Sequence, residues 1–427
     1  MITSPAGTPL DGITAILVVK RLLVLFSSAS QLYHLPVDAF HDILVEHVAE
    51  FLKCMAHRFS KDLNTILSSE RFEPFTIQSE ADFIKYVVAT GLVTPQDPQP
   101  TSFPATMPFS VSVPLIVRLV KAFISGIFNY AEHVNGEFLL LFFNQISSLL
   151  SHDVNKELRR LISSPTSTNS VTVSQAAQLS LNASFLSLAC DTLHAYLLAH
   201  TDKSAGENGI PLVLSAKVHF KTTQTICTQM ITRVLLSKID SISNAAAAIT
   251  WTATEPSTSN SEYTMDVIAY LRTALGCVVF LSPETKNKIY KMCFDHVSDN
   301  ILTAMVEEVR IHILHVNFVI MACAPSLFLI LECVFLYVCS FTCPQVPAIS
   351  KMTCYNLLQD VAALEDFASE AGKAHLVQSL AQLRQTCELL VEGVEKIADK
   401  NLRTTKYAGV SLHALFRYVY ALYIGTL

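Results

Sequence analysis

Apolar residues return along this chain at alternating spacings of three and four, the period of a helix with one buried face. Pro36 and Asp38 open one such run, whose stripe is Phe40, Leu44, Val48, Phe51, Met55 and Phe59. A second stripe reads Met265, Ile268, Leu271, Leu275 and Val278, on a helix carrying Asp266 to Leu281. A third reads Leu376, Leu380, Leu383, Cys387, Leu390, Val394 and Ile397. Further helical segments are predicted at about 114–163 and 172–200. Between them, Ser163-Ser164-Pro165-Thr166-Ser167-Thr168-Asn169-Ser170 is a polar loop, and Thr252 to Glu262 is another. Pro95, Pro98, Pro100, Pro104, Pro108 and Pro114 remove backbone donors and restrict the residues before them, so this stretch is a connection between helices. Thr201 to Pro211, with Gly206 and Gly209, marks a boundary between two larger helical units. The expected organisation is all-α, with bundle regions at 1–205 and 206–427.

One stretch breaks the pattern. From Ile311 to Cys343 the only charged residue is Glu332. Its centre, Val319 to Phe341, has the roughly 20 apolar residues of a membrane-spanning helix. Its Val, Ile, Leu and Phe residues favour insertion by roughly 5 kcal/mol, and a central carboxylate returns about 3 of that. Pro325 subtracts more. The flanking stripes argue the other way, since amphipathic helices are stable when packed on other helices. A span would also leave 349–427 alone on the far side, too small to bury its stripe well. A helical bundle interrupted by a foreign segment is the better reading. Val309–Arg310 is compatible with an intron donor and Gln345 with an acceptor; removing Val309 to Gln345 keeps the frame and joins Glu308 to Val346. The insertion is accordingly expected to be a retained intron at 309–345.

Composition narrows the function classes. Of 427 residues, 51% are apolar, 15% are charged and only 12 are glycine, which disfavours Gly-rich phosphate loops. A net charge of −6 offers no basic field for nucleic acid. The 11 cysteines are irregularly scattered, as expected of reduced, buried thiols. The amino terminus lacks a basic leader ahead of its apolar part, unlike a signal peptide.

Candidate chemistry is sparse. His312 and His315 stand three apart without an acidic or Cys neighbour, and Cys339 and Cys343 form at most half a metal site. His41 and His47 share a helix with Asp42 and Glu46, but not in the HExxH order. Asn182-Ala183-Ser184 matches a glycosylation sequon, a frequent chance occurrence. The GxSxG, P-loop and GxGxxG arrangements do not occur. No catalytic, metal or cofactor site is expected.

Several passages resemble the vesicle-tethering exocyst subunits of the component-six type. They are SFPATMPFSVSVP (102–114), LVLFSS (23–28), QLSLNASFLSLACDTL (178–193), YTMDVIAYLRTAL (263–275), ISKMTCYNLLQDVAALEDFA (349–368) and TKYAGVSLHALF (405–416), in the family's order. The flanks of 309–345 meet without a gap in that comparison. The resemblance implies an elongated stack of helical bundles, the C-terminal portion of such a subunit. It implies no enzymatic activity, with other exocyst subunits and a Rab-type small GTPase in its GTP state as partners. Membrane contact would be indirect, at vesicles and plasma-membrane sites of exocytosis. On this resemblance the chain starts near the middle of a family member and ends short of the last helices. The GTPase-facing asparagine of the family falls at Leu358 with Asn356 near it, so Asn356, Leu358 and Asp360 are the expected partner face. The alternative is a single-pass membrane protein with a cytosolic helical region.

Overall fold

The computed structural model describes residues 12–93, 99–132, 134, 138–163, 171–200, 216–245, 251–323, 349–370, 374–393, 396 and 399–410. Among them the fold is all-α, apart from one two-stranded ribbon. Contacts divide the chain into two compact units, Met1–Met230 and Ile231–Leu427. The division falls inside one helix, Ala216–Ala245, and the expected boundary at Thr201–Pro211 lies outside the described residues.

Unit 1 starts with α1 (Gly12–Leu32), α2 (Asp38–Glu46) and α3 (Val48–Ser68). The stripe predicted as one helix is thus two, separated at His47, while Leu44, Val48, Phe51 and Phe59 are all buried as expected. The partner of α3 is α5 (Ser112–Ala131), which begins with Pro114 in its first turn, where a missing N–H leaves no bond unmade. Phe51 stacks on Tyr130 with ring centroids 4.4 Å apart, Phe59 meets Phe123 edge-on at 5.8 Å, and the Tyr130 hydroxyl donates to the Leu44 carbonyl at 3.0 Å. Between them, α4 (Glu80–Phe83) runs into a π-helical turn, Ile84–Val88. The chain leaves that turn through Gly91 at φ 71°, where a Cβ would strike Thr192 at 2.4 Å.

The proline-rich connection is more ordered than a loop. Its β2 (Ala105–Met107) pairs antiparallel with β1 (Phe75–Ile77), Thr76 opposite Thr106. The predicted segment 114–163 divides into α5, α6 (Leu139–Ser148), a second π turn (Leu149–Val154) and α7 (Asn155–Ser163). Next, α8 (Val173–Ala199) opens with a capping box in which Thr172 and Gln175 exchange bonds. Its buried positions run almost consecutively from Ala176 to Ala183, so it is enclosed on more than one side.

Unit 2 takes the second half of α9 (Ala216–Ala245), then α10 (Glu262–Gly276), α11 (Pro283–Cys323), α12 (Lys351–Glu370), α13 (Val377–Glu392) and the short α14 (Lys400–Thr405). On α11, Ile289, Cys293, Val297, Ile301 and Met305 recur every fourth residue and are buried. Its backbone continues as one helix through Cys323, beyond Glu308, where the foreign segment was expected to begin. Most of the apolar centre Val319–Phe341 lies outside the described residues. On α13 and the turn just before it, Leu376, Leu380, Leu383, Cys387 and Leu390 are buried as the stripe predicts, while Val394 and Ile397 are not among the described residues. Met265 departs from its stripe: it is 50% exposed, and Val267 and Ala274 share the buried face with Ile268, Leu271 and Leu275.

Two described helices, Gly12–Leu32 and Ser112–Ala131, are long and apolar enough to cross a membrane, by length and composition only. The second is half buried in unit 1, as a core helix is.

Candidate partner-binding surface

The three expected face residues lie on α12, beside the connection 251–261 that leads into α10. This connection has few backbone partners of its own, and α12 supplies them. The Trp251 carbonyl accepts from Ser350 N and Thr353 Oγ1, each at 2.8 Å, and the Ala253 carbonyl accepts from Ser350 Oγ at 2.6 Å. Asn356 Oδ1 accepts the Ser257 N–H at 2.9 Å. Asp360 takes the Ser261 N–H on Oδ1 at 2.8 Å and the Ser261 hydroxyl on Oδ2 at 2.6 Å. Residues 350, 353, 356 and 360 thus form one polar stripe that straps the connection to the helix.

Asp360 is therefore not surface-facing. Only 3% of it is exposed, and burial pushes its carboxyl above the ordinary value, opposed by the Ser261 and Thr264 hydrogen bonds. Such a carboxylate holds the start of α10 rather than meeting a partner directly. Asn356 also spends its carbonyl oxygen on the strap, and Leu358 is half-buried. Tyr355 nearby is a large hydrophobic side chain that is 49% exposed, which sequence reasoning missed; an aromatic at an exposed helix position was the available signal. Beneath the strap, Tyr263 is buried with its hydroxyl lacking a hydrogen-bond partner. At the far end of α12, Glu365 is bound by Arg384 of α13, and the same hydrogen bonding raises Arg384 above its usual range. Among the described residues of this arrangement no nucleophile is paired with a base.

A comparable polar tie sits in unit 1. Asn182 of α8 accepts the Ser110 N–H on Oδ1 at 2.9 Å and donates through Nδ2 to Ser110 Oγ at 2.8 Å. Ser110 Oγ also lies 2.6 Å from Glu70 Oε2, and Gln178 Nε2 donates to the Pro108 carbonyl at 2.9 Å. Asn182 is wholly buried, so the sequon it heads has no accessible acceptor in this fold.

The other candidates are placed as follows. His41 shares α2 with the buried Leu44, and its Nδ1 has no partner, whereas His47 is exposed at the break after α2. The side chains of His312 and His315, and all of Cys339 and Cys343, fall outside the described residues. Of the seven described cysteines, Cys190, Cys227, Cys293 and Cys354 have thiols that burial pushes up to about 12, and burial also raises Cys387 well above its ordinary value. Among the described residues no three His, Cys, Asp or Glu side chains stand together as metal ligands.

Comparison with known proteins points in one direction. The profile of a family described as Exocyst complex subunit Sec15 C-terminal matches residues 39–316. Exocyst complex component SEC15A of Arabidopsis thaliana is 26% identical over 311 residues, covering 70% of this chain and 38% of the relative. Exocyst complex component 6B of Homo sapiens is 23% identical over 300 residues, covering 69% and 36% respectively. The chain therefore spans a little over a third of the length of these relatives. A crystal structure of a Sec15 C-terminal domain aligns with a TM-score of 0.48 at 16% identity, covering 82% of this chain and 99% of that one.

Proposed function

Because this chain belongs to the exocyst complex subunit Sec15 C-terminal family, we propose that it acts as a non-enzymatic exocyst module that tethers secretory vesicles to the plasma membrane before fusion. The family match over residues 39–316 carries this reading. Its partners are other exocyst subunits and a Rab-type GTPase in its GTP state, and it works in the cytoplasm and peripherally at sites of exocytosis. The mechanism is binding: apolar and aromatic side chains on helix faces dock partner surfaces without covalent chemistry. Recruitment depends on nucleotide because only one GTPase state presents the complementary surface.

On α12 the contact is made by Leu358 and the exposed Tyr355, while Asn356 and Asp360 position that surface through the strap. Binding to Rab-type GTPases loaded with GTP or GDP tests the effector role. GTP-selective capture, weakened by Tyr355→Ala and Leu358→Ala, is expected; equal capture of both forms, or none, removes that role. Co-precipitation with exocyst subunits tests the tethering role, and its failure removes it. The run Val319–Phe341 favours a second reading, a single-pass membrane protein with a cytosolic helical region. Carbonate extraction separates the two: release from membranes supports the tether and retention supports the span.

A further inference from the structure

The π-helical turn Ile84–Val88 gathers an unusual surface in unit 1. The Lys85 ammonium lies 4.8 Å and the Arg118 guanidinium 5.5 Å from the centre of the same Tyr86 ring. One turn further along α5, Lys121 donates to the Ala89 carbonyl at 2.8 Å and lies 5.1 Å from the Tyr196 ring. Three cations are therefore packed against two aromatic rings beside one short turn. None of the three makes an ion pair among the described residues. The nearest acid on the same helix, Asp82, is spent on Ser79 at the helix start. Burial lowers Lys121, with no carboxylate opposing it. The flank is apolar and open: Ile84 is 53% and Val88 47% exposed. π turns inserted in α-helices are frequent at functional sites, because the extra residue re-aims the side chains around it.

A local excess of positive charge on a chain of net charge −6 calls for a specific anionic partner rather than a general one. We infer that Lys85, Arg118 and Lys121, with Ile84 and Val88 beside them, form a docking surface for an acidic peptide segment carrying an apolar anchor. An anionic membrane fits less well. Three cations supply only a weak attraction to an anionic lipid surface. Two short aliphatic side chains add little insertion energy, and the remaining acidic surface opposes approach. A carboxylate-rich segment instead meets the planar Arg118 fork in two-point geometry, and its apolar residue covers Ile84 and Val88.

The probe is a fluorescein-labelled peptide of alternating Glu-Glu-Leu triplets, titrated with the full chain and read by anisotropy. The Lys85→Glu, Arg118→Glu double variant should weaken binding by at least about tenfold, equivalent to ~1.4 kcal/mol. The same charge change placed on α3 and α7, Lys61→Glu with Lys156→Glu, should leave it within about twofold, the range of weak exposed-charge effects. Ile84→Ser with Val88→Ser should weaken it by roughly threefold, as expected for losing part of two exposed aliphatic contacts. Binding should also fall as salt rises from about 0.01 M to about 0.15 M, over which the screening length shrinks from ~30 to ~8 Å. All variants are on exposed side chains, and their thermal melts establish folding. Equal loss in the control variant, no measurable peptide binding, or binding only to phosphatidylserine-containing vesicles in a parallel sedimentation assay would each overturn the inference. It is independent of the exocyst reading, since neither assay contains a second exocyst subunit or a GTPase.

Discussion

The tie at Ser110 in unit 1 and the strap on α12 in unit 2 solve one problem with different chemistry. Each fastens a non-helical connection to the helix beside it, through side chains that satisfy otherwise orphaned backbone groups. In unit 1 the centre is a neutral amide, Asn182, fully buried and bonded to both the N–H and the hydroxyl of Ser110. In unit 2 the centre is a carboxylate, Asp360, gripping Ser261 at the edge of a connection whose residues Thr254 to Ser259 are exposed. The amide at the centre of the first tie is deep and does not itself titrate. The carboxylate strap is edged by exposed residues, and its centre is a titratable group. The second connection therefore hangs on a group that changes charge with pH, whereas the amide at the centre of the first does not.

The largest expected effect tests depth. Asn182→Ala strands the Ser110 N–H in a closed site and should cost about 3 kcal/mol, read as a lower urea midpoint at unchanged slope. Asp360→Ala should cost less, about 1.5 kcal/mol, because Ser261 is only half-buried and water can replace the carboxylate. A larger loss at Asp360 than at Asn182 would reverse the ranking of the two ties. Asn356→Ala, which frees only the N–H of the exposed Ser257, should fall within about 0.5 kcal/mol.

Acid sharpens the contrast. Asp360 is raised above its ordinary 3.8, so the folded state binds this proton more tightly than the unfolded chain. The advantage of the parent over Asp360→Asn should therefore grow as pH falls through the window just above 3.8. Glu392 runs the other way. Hydrogen bonds from Lys406, Lys396 and Tyr407 lower it from 4.5 to about 2, so its contribution is present above 4.5 and fades as pH falls toward 2. The gap between parent and Glu392→Gln should narrow with acid, while Asn182→Ala keeps a constant deficit. Urea midpoints at several pH values below neutrality read all three. The finest test is chemical: among the seven described cysteines, the exposed Cys277 should alkylate first, with Cys190, Cys227, Cys293, Cys354 and Cys387 protected until unfolding.

Periodicity made the helical faces legible because burial repeats with the helix turn. Leu44 through Phe59, and Leu376 through Leu390, could be read directly. Breaks without proline or glycine could not: nothing at His47 announces the division of α2 from α3. The β1–β2 ribbon was hidden because three-residue strands are too short to alternate visibly, and the prolines around Ala105 masked one of them. The expected face, Asn356, Leu358 and Asp360, lies along one helix, α12. The resemblance could not tell that Asp360 turns inward, because that depends on a connection some 99 residues earlier in the chain. The cations around Tyr86 were invisible for the same reason: their meaning comes from what stands beside them in space.

The enclosed amide of Asn182 also makes this chain a reporter of its own topology. Oligosaccharide transfer to a sequon takes place on nascent chain, before tertiary structure closes. A sugar attached there would occupy the atom that donates to Ser110, and α8 could not then seat against the proline-rich segment. Glycan occupancy and a native first unit exclude one another, so the glycosylation state of one residue would record which side of the bilayer this passage was made on.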